Sequence, residues 1–377
     1  MINFEKEILY QYNHSFESKY IVDNDEDFNT LKKINFDSKD RFILLIDSNV
    51  NKIWGKKIKD SLSQNNKEII TKVLEANEFT KSISFLPEIV NYLESISCSK
   101  NDLIIGCGGG SILDLVAFLS SVYMRGVSFM AIPSTLIGQV DVLTAGKTCL
   151  NSYNGKNVLG SFYYAELVYN NSQILNTCSK LIHRQGLSEV FKYGLLSSNE
   201  LLSSLSRYSE SGSSTDLFDT ILLTMNSRFN ISKIDPLASN LGHTFGHALE
   251  KMFEYKILHG DAISIGTVIS LYFSHEKGIL SKSNLDKIIN KMQKLRLNIY
   301  IQEDIDIKKL VSLMSKDKKS TKGKINLVLL EDIAKPYIKN DTPFFASNMD
   351  EIEEFMIKFL ESYQFKTKDL LTLLKTI

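Results

Sequence analysis

The sequence predicts an α/β protein in which a parallel-sheet domain is followed by a mostly α-helical domain. Strand-like apolar segments alternate with amphipathic helical segments over about the first 180 residues, which is typical of a parallel sheet with covered faces. From Leu181 onward, apolar residues recur mainly at helical spacing. A length of 377 residues is too great for one simple core and favours two domains in contact. We therefore expect domains at 1–180 and 181–377.

The elements of the first domain follow in order. Residues 8–22 alternate aromatic and β-branched residues and predict a hairpin. RFILLIDSNV, residues 41–50, predicts a buried strand that ends in turn residues, and NKIWGKKIKDSLSQ predicts the helix after it. EIVNYLESIS, residues 88–97, is another amphipathic helix. DLIIGCGGGSILDLVAFLSSVYMRG then predicts a strand, a glycine turn and a helix, and SFMAIPSTLIG predicts a strand meeting a loop.

The second domain is predicted to be helical almost throughout. Apolar residues lie at helical spacing in GLSEVFKYGLLSS, DLFDTILLTMNSRFNIS, GHTFGHALEKMFEY and DAISIGTVISLYFSHEKG. Only KINLVLLEDIA, residues 324–334, is typical of a strand. No flexible linker separates the two halves in sequence, so we expect them to meet near 175–185 and to form a site there.

Composition excludes several classes of partner. Lys+Arg and Asp+Glu both number 44, so neither nucleic acid nor an anionic membrane is expected as the main partner. No run approaches the roughly 18 apolar residues of a membrane span, and the N-terminus lacks the apolar region of a signal peptide. The four cysteines (Cys98, Cys107, Cys149 and Cys178) show no CxxC spacing. A reduced, cytoplasmic protein that binds a small anion in a local basic pocket is therefore expected.

The segment GCGGGSILD, residues 106–114, lies between a predicted strand and a predicted helix. Glycines allow the backbone to approach a pyrophosphate, and a helix N-terminus offers free N–H groups and a favourable dipole. The third glycine position of the GxGxxG fingerprint is occupied by Ser111. This segment alone is equally consistent with a tight strand-to-helix turn.

Histidines are concentrated in NLGHTFGHALEKMFEYKILHGDA, which holds three of the six: His243, His247 and His259. His243 and His247 are four residues apart and share a helix face. Catalytic zinc sites use about three His or carboxylate ligands. GLSEVFKYG places Glu189 and Lys192 on an otherwise apolar helix, where both are costly to bury without partners. A metal and an anion would satisfy them, although core or capping histidines remain an alternative.

Polar residues also collect in segments expected to follow strands. YMRGVSFMAIPST, VDVLTAGKT and NGKNVLG contribute Arg125, Asp141, Lys147, Lys156 and Asn157. Loops after the strands of a parallel sheet face the ligand, and several cations there suit phosphate. Taken singly, each is more often a solvated surface residue, as is the basic loop SKDKKSTKGK, residues 315–324.

Taken together and in order, these segments resemble the 3-dehydroquinate synthase family of sugar-phosphate cyclases. The resemblance runs from about Asp47 to Ala334 and is carried by GCGGGSILDLVAF, YMRGVSFMAIPSTL, QVDVLTAGKT, NGKNVLGSFY, GLSEVFKYG, NLGHTFGHALE, LHGDAISIG and SKDKKSTKGKINLVLL. It implies a Rossmann-like domain that binds NAD, followed by a helical domain that binds a divalent metal, zinc or cobalt.

The resemblance also implies roles for individual residues. The metal ligands would be Glu189, His243 and His259, with His247 facing the substrate. NAD would be bound by Asp47, Asn49, Glu78, Lys81, Gly110, Ser111, Ile112, Leu113, Asp114, Ser134, Thr135 and Thr177, with Lys147 and Lys156 between NAD and substrate. The substrate would be held by Arg125, Asp141, Asn157, Lys192, Asn240, and Lys318 or Lys319.

The implied activity converts a seven-carbon sugar acid phosphate, 3-deoxy-arabino-heptulosonate 7-phosphate, to 3-dehydroquinate and phosphate. NAD takes a hydride from a ring carbinol, phosphate leaves by β-elimination, the hydride returns, and an intramolecular aldol step closes the carbocycle. The resemblance further implies a homodimer.

The sequence departs from the family pattern at one point that concerns the substrate. The family usually has an arginine in a loop like GLRALLN that binds the substrate carboxylate, whereas SKIDPLASNLGH has no arginine between Lys233 and His243. Arg228 aligns with an upstream substrate lysine. VDVLTAGKT also replaces VDSSxGGKT, and FYYAE replaces FYQP. A cyclase making 2-deoxy-scyllo-inosose, valiolone or amino-dehydroquinate therefore stays an alternative, as do a metal-dependent alcohol or glycerol dehydrogenase and a non-catalytic relative.

Overall fold

The sheet half of the molecule, up to residue 179, consists of a parallel sheet with flanking helices. The computed structural model describes residues 17–143, 146–153, 155–235, 237–316 and 324–368. The strands here are β1 (Lys19–Asp23), β2 (Arg41–Asp47), β3 (Glu68–Leu74), β4 (Leu103–Gly108), β5 (Phe129–Pro133), β6 (Lys147–Ser152), β7 (Gly155–Phe162) and β8 (Leu167–Asn171). The helices are α1 (Asn29–Lys32), α2 (Ser48–Ser63), α3 (Leu86–Ser95) and α4 (Gly110–Val122).

Six strands form one sheet in the order β1–β8–β5–β4–β2–β3, and all of its neighbours pair in parallel. β4, β5 and β8 are buried at every residue, which explains the nearly continuous apolar sequences of β4 and β5. In the segment predicted as a hairpin, residues 8–22, the described part contains β1, which pairs in parallel with β8; the rest of that segment lies outside the described residues. β6 and β7 form a separate antiparallel hairpin beside the sheet.

The helical half begins at Lys180. Its helices are α5 (Lys180–Ser197), α6 (Asn199–Ser211), α7 (Ser214–Ile234), α8 (His243–Met252), α9 (His259–Glu276), α10 (Lys282–Lys294), α11 (Ile307–Ser315) and α12 (Met349–Ser362). Of these eight helices in the described residues, six begin at a side-chain cap, and the capping residues are Ser179, Ser198, Ser213, Ser281, Asp306 and Asn348. Such caps satisfy N–H groups that a helix end leaves without partners.

The single strand predicted over Lys324–Ala334 is wrong in detail. That segment holds two short strands, β10 (Ile325–Val328) and β11 (Leu330–Asp332). β10 pairs with β13 (Phe344–Ser347) and β11 with β12 (Lys335–Pro336), while β9 (Ile301–Gln302) pairs with β14 (Lys366–Thr367). Strands of two to four residues are too short to show a periodic pattern, which is why sequence reasoning missed them.

The two halves share one apolar core. A single hydrophobic cluster runs from Phe42 and Tyr169 in the sheet half to Phe191 and Phe273 in the helical half. Gly186 of α5 lies so close to Leu136, just beyond β5, that an added Cβ would come within 2.5 Å of it. A parallel-sheet half followed by a helical half is therefore confirmed. The boundary at 180/181 stays a proposal.

In the described part of the chain, no helix has the length and apolar character that crossing a bilayer requires.

Candidate active site

The carboxyl edge of the sheet has a point where the strand order reverses. From β2 the chain moves outward to β3, and then returns to β4 on the other side of β2 before continuing to β5 and β8. Ligands of open parallel sheets bind at such a switch point. Asp47 ends β2 and Gly108 ends β4, and a Cβ added to Gly108 would lie 3.3 Å from the Asp47 Cβ.

The glycine turn is shaped by close packing. A Cβ on Gly108 would lie 2.8 Å from the Ile112 Cβ, and one on Gly109 would lie 3.1 Å from the Thr135 Cγ2. Gly109 precedes α4 without a side-chain cap, so the free N–H groups of that helix open toward the switch point. The tight-turn interpretation is thus correct, and it is compatible with a site for a phosphate group.

Several residues predicted to bind NAD surround this edge. Asp47 caps α2 by accepting hydrogen bonds from the N–H groups of Asn49 (2.8 Å) and Val50 (3.0 Å). Ser134 follows β5 and donates its N–H to the Gly108 carbonyl at 2.8 Å. Thr177 lies beyond β8 and accepts a hydrogen bond from Trp54 Nε1 at 2.9 Å.

Two ion pairs lie at this edge, and the one formed by Lys156 links it to the β6–β7 hairpin. Lys81 Nζ lies 2.5 Å from Asp114 Oδ2, and Lys156 Nζ lies 3.0 Å from Glu78 Oε1. Burial alone would lower the pKa of Lys81, but Asp114 raises it above its ordinary value. Asn151 donates to Glu78 Oε2 at 2.7 Å and accepts the N–H of Asn157 at 3.0 Å. Lys156 and Asn157 therefore lie in a strand of the hairpin, and Lys147 begins the other strand.

Glu189, His243 and His259 converge on one point although they come from three helices. Their candidate ligand atoms lie within 4.8 Å of one another. Glu189 Oε1 is 3.6 Å from His243 Nε2 and 3.5 Å from His259 Nε2. Ligand atoms held at about 2.0–2.1 Å around a tetrahedral zinc ion are separated by about 3.3–3.4 Å, so these spacings suit a metal ion.

The state of Glu189 supports the same conclusion. Its side chain is 0% exposed, and among the described residues neither oxygen accepts a hydrogen bond. Lys192 Nζ, equally buried, lies 2.5 Å from Glu189 Oε2. Lys192 balances the charge at Oε2, but the buried Oε1 accepts no hydrogen bond and faces two imidazole nitrogens. Such an oxygen is costly to bury unless a further cation satisfies it. The three residues therefore fit a divalent metal.

His259 also faces a second acid that sequence reasoning missed. Its Nδ1 lies 3.2 Å from Glu250 Oε1. Burial alone would lower the pKa of His259, but the neighbouring carboxylates of Glu189 and Glu250 raise it to about 10. His247, Glu250 and His259 form a second cluster with candidate ligand atoms within 4.8 Å. The signal for Glu250 was its position seven residues after His243, on the same helix face.

Asp141, in the sheet half, contacts Tyr193 and Arg228 of the helical half, and the sequence did not predict this group. It lies in a π-helical turn over Gly138–Val142 and accepts a short hydrogen bond from the Tyr193 hydroxyl. Arg228 Nε lies 3.6 Å from Asp141 Oδ1, and Arg228 donates to the Ser239 hydroxyl at 3.1 Å. Burial alone would raise the pKa of Asp141, but Arg228 and Lys192 lower it to about 2. The aromatic ring of Tyr193 also lies 4.2 Å from Lys192 Nζ.

The remaining predicted residues lie in different places. Asn240 precedes α8 and donates to the Leu237 carbonyl at 2.8 Å. Arg125 was expected in a loop after a strand, and that placement is wrong. It lies four residues before β5, at the opposite edge of the sheet, and is exposed. Within one chain, Arg125 therefore does not lie at this site. Lys318 and Lys319 lie outside the described residues.

Glycines allow the helices that carry the histidines to touch. A Cβ on Gly266 of α9 would lie 2.1 Å from the Gly242 carbonyl oxygen, and one on Gly246 of α8 would lie 2.7 Å from Ile263 Cδ1. The backbones of α8 and α9 are therefore in near contact. This close approach places His243 and His259, whose ring centroids are 5.7 Å apart, around the same point.

Solved structures share this arrangement of sheet and helices. A 2-deoxy-scyllo-inosose synthase complexed with carbaglucose-6-phosphate, NAD⁺ and Co²⁺ superposes with a TM-score of 0.78 at 18% identity, over 90% of this chain and 96% of that one. The 2-epi-5-epi-valiolone synthase from Streptomyces hygroscopicus, with NAD⁺ and Zn²⁺ bound, gives a TM-score of 0.78 at 21% identity, over 95% and 100%. An iron-containing alcohol dehydrogenase from Thermococcus thioreducens gives 0.63 at 12% identity, over 92% and 98%. The fold is thus an α/β fold that both sugar-phosphate cyclases and alcohol dehydrogenases adopt.

Sequence similarity separates these two groups. Residues 71–185 match the model of the 3-dehydroquinate synthase N-terminal domain, and residues 186–320 match that of the C-terminal domain. The 3-dehydroquinate synthase of Clostridium botulinum is 34% identical over 313 residues, covering 80% of this chain and 88% of that protein. That of Rhodopseudomonas palustris strain TIE-1 is 32% identical over 318 residues, covering 80% and 84%. The chain belongs to the 3-dehydroquinate synthase family.

Proposed function

We propose that this enzyme converts 3-deoxy-arabino-heptulosonate 7-phosphate to 3-dehydroquinate and phosphate, using NAD and one divalent metal, zinc or cobalt. The observation that carries the proposal is the convergence of Glu189, His243 and His259 in a chain that matches the family along most of its length. NAD would supply a reversible hydride acceptor, and the metal a Lewis acid that lowers the pKa of a coordinated alcohol.

The residues of the chain would orient and hold the substrate. Glu189, His243 and His259 would hold the metal. Lys192, 1% exposed, places a cation beside that group, where developing negative charge on a substrate oxygen is stabilised most strongly. His247, whose ring centroid is 5.3 Å from that of His243, is close enough to contact a group bound there.

The sheet half would bind the dinucleotide. The N-terminus of α4 and the ends of β2 and β5 meet at the switch point, where N–H groups suit a pyrophosphate. Lys156 comes from the hairpin and carries positive charge toward the helical half, where its Nζ lies 4.7 Å from the Tyr255 ring centroid. The homodimer expected from the resemblance also remains a proposal.

A specific observation supports a second candidate, another sugar-phosphate cyclase. The approach to α8 has no arginine between Lys233 and His243. Arg228, 6% exposed, is held by Asp141 and Ser239. A site without a dedicated arginine for the substrate carboxylate suits a sugar phosphate that has no carboxylate, as well as one whose carboxylate Arg228 reaches.

The decisive experiment incubates the enzyme with a panel of six- and seven-carbon sugar phosphates, NAD, and zinc or cobalt. Phosphate release and product mass are measured together with NADH absorbance. The proposal expects phosphate and 3-dehydroquinate from the heptulosonate phosphate alone, without accumulation of NADH. Phosphate release from another sugar phosphate supports the second candidate. Stoichiometric NADH without phosphate release means that the protein is a dehydrogenase.

A further inference from the structure

His259 lies between two carboxylates, one at each ring nitrogen. Its Nε2 is 3.5 Å from Glu189 Oε1, and its Nδ1 is 3.2 Å from Glu250 Oε1. The two candidate metal clusters of the described residues therefore overlap at this histidine, since one contains Glu189 and His243 and the other contains His247 and Glu250. A neutral imidazole offers one nitrogen to a metal and keeps its proton on the other. With a neutral His259, only one of the clusters can hold an ion at a time.

The two acids differ in what they already contact. Glu189 is 0% exposed; Lys192 Nζ lies 2.5 Å from its Oε2, while its Oε1, which faces both imidazoles, accepts no hydrogen bond from the described residues. The side chain of Glu250 is 16% exposed and is already hydrogen-bonded to His259 Nδ1. A cation therefore relieves a larger desolvation cost at Glu189 than at Glu250. This difference assigns Nε2 to the metal and Nδ1–H to Glu250.

The position of Glu250 on α8 suits the second role. His243, His247 and Glu250 lie at positions i, i+4 and i+7 of that helix and so share one face. The near contact of α8 with α9 at Gly246 and Gly266 holds this face against the start of α9, where His259 is the first residue. Glu250 thus approaches the imidazole from the side opposite Glu189.

We propose that Glu250 is a positioning residue. It accepts the Nδ1–H of His259, fixes the tautomer that presents Nε2 to the metal, and leaves one metal ion per chain, bound at Glu189, His243 and His259. Carboxylates that accept the N–H of a ligand histidine commonly raise metal affinity by about 10–100-fold. The inference rests on the metal requirement in the proposed function.

The test measures metal binding without substrate, so it does not depend on turnover. Wild type and the variants Glu250→Leu, Glu250→Gln, His247→Asn and Glu189→Gln are stripped of metal and titrated with Co²⁺. The readouts are affinity, stoichiometry and the visible Co²⁺ spectrum, with circular dichroism as a check on folding. His247→Asn is the matched control, because His247 belongs to the second cluster and is not a member of the cluster formed by Glu189, His243 and His259.

We expect one Co²⁺ per wild-type chain. Glu250→Leu should bind about 10–100-fold more weakly while keeping the wild-type spectrum, and Glu250→Gln, which keeps an acceptor oxygen, should recover part of that loss. His247→Asn should bind as the wild type does, and Glu189→Gln should lose both the affinity and the spectrum.

Other outcomes separate the possible failures. Full affinity in Glu250→Leu overturns the positioning role. Two ions per chain, or a changed spectrum in both His247→Asn and Glu250→Gln, places the metal in the second cluster and also overturns the proposal. If wild type binds no Co²⁺, the metal requirement of the proposed function fails, and the present inference fails with it. If wild type binds Co²⁺ and Glu250→Leu binds it with the same affinity, the positioning role of Glu250 fails while the metal requirement of the proposed function stands.

Discussion

Two buried carboxylates, one in each half of the molecule, differ in how they are bonded. Asp102, at the amino edge of the sheet and 1% exposed, receives hydrogen bonds from Arg41 Nε (3.2 Å) and Nη2 (2.8 Å) and from the Ser99 N–H (2.8 Å). Glu189, 0% exposed, has Lys192 beside it but accepts no hydrogen bond from the described residues. Both are paired with a cation, yet only Asp102 has its oxygens satisfied.

The difference distinguishes structural from functional burial of charge. A carboxylate that stabilises the fold is saturated with donors, because every missing hydrogen bond is a desolvation cost. A carboxylate that serves a ligand keeps its lone pairs available, and the fold bears that cost. Glu189 meets the second description, since Lys192 pairs with one of its oxygens while the other faces two imidazole nitrogens and keeps its lone pairs available.

Replacing Glu189 should give the largest effect on activity. Glu189→Gln should lower turnover at least about a thousandfold, because a Lewis acid supplies several kcal/mol of transition-state stabilisation and each 1.4 kcal/mol is tenfold. Metal content by atomic absorption and phosphate release measure the result. A variant with full metal content would remove Glu189 from the ligand set.

The same position offers a control for charge. Glu189→Gln leaves Lys192 buried without its acidic neighbour, which destabilises the fold. The double variant Glu189→Gln/Lys192→Met should regain stability in urea but not metal binding. Recovery of metal binding together with stability would show that Glu189 acts only as a partner of Lys192.

Replacing Asp102 should affect stability and leave chemistry intact. Asp102→Asn breaks a bidentate pair, and because Arg41 is partly exposed, the loss should be about 1–3 kcal/mol in the free energy of unfolding. Urea denaturation measures it. Turnover of the folded variant should match the wild type, and a large drop in turnover would contradict the division between the two carboxylates.

The pH dependence of stability should follow Asp102. Burial alone would raise the pKa of Asp102, but hydrogen bonds from Arg41 and the Ser99 N–H lower it. An acid with a depressed folded pKa stabilises the fold above its unfolded pKa of about 3.9, and that stability is lost as pH falls through the folded pKa. The gap in urea midpoint between wild type and Asp102→Asn should therefore shrink from about pH 6 to about pH 3. A constant gap would mean that charge plays no part in this pair.

The smallest effect, on NAD binding, is expected from a substitution beside Lys156, which contacts both halves. Lys156 contacts Glu78 in the sheet half and the Tyr255 ring in the helical half. Tyr255→Leu removes a cation–π contact of about 0.5–1 kcal/mol and should weaken NAD binding by about 2–5-fold. Calorimetric titration tests this. Tyr255→Phe, which keeps the ring, should bind NAD as the wild type does, and equal weakening in both variants would rule out the ring contact as the cause.

Sequence reasoning predicted elements and site residues that a motif marks better than contacts between residues far apart in the chain. The order of sheet and helices and the grouping of Glu189, His243 and His259 were both expected. The network of Asp141, Tyr193 and Arg228 was not, because its members are separated by up to 87 positions, and no local spacing encodes their contact. Arg125 was misplaced because a motif identifies a residue but not the edge of the sheet on which it lies.

The glycines at the crossing of α8 and α9 carry no functional group, yet the geometry of the site depends on them. Methyl groups added at Gly246 or Gly266 would collide with Ile263 and with the neighbouring backbone, and the helices would have to separate. His243 and His259 would then move apart without any change in their own identity. Loss of activity in this protein can therefore arise from a single carbon atom placed on a surface that touches neither substrate nor ion.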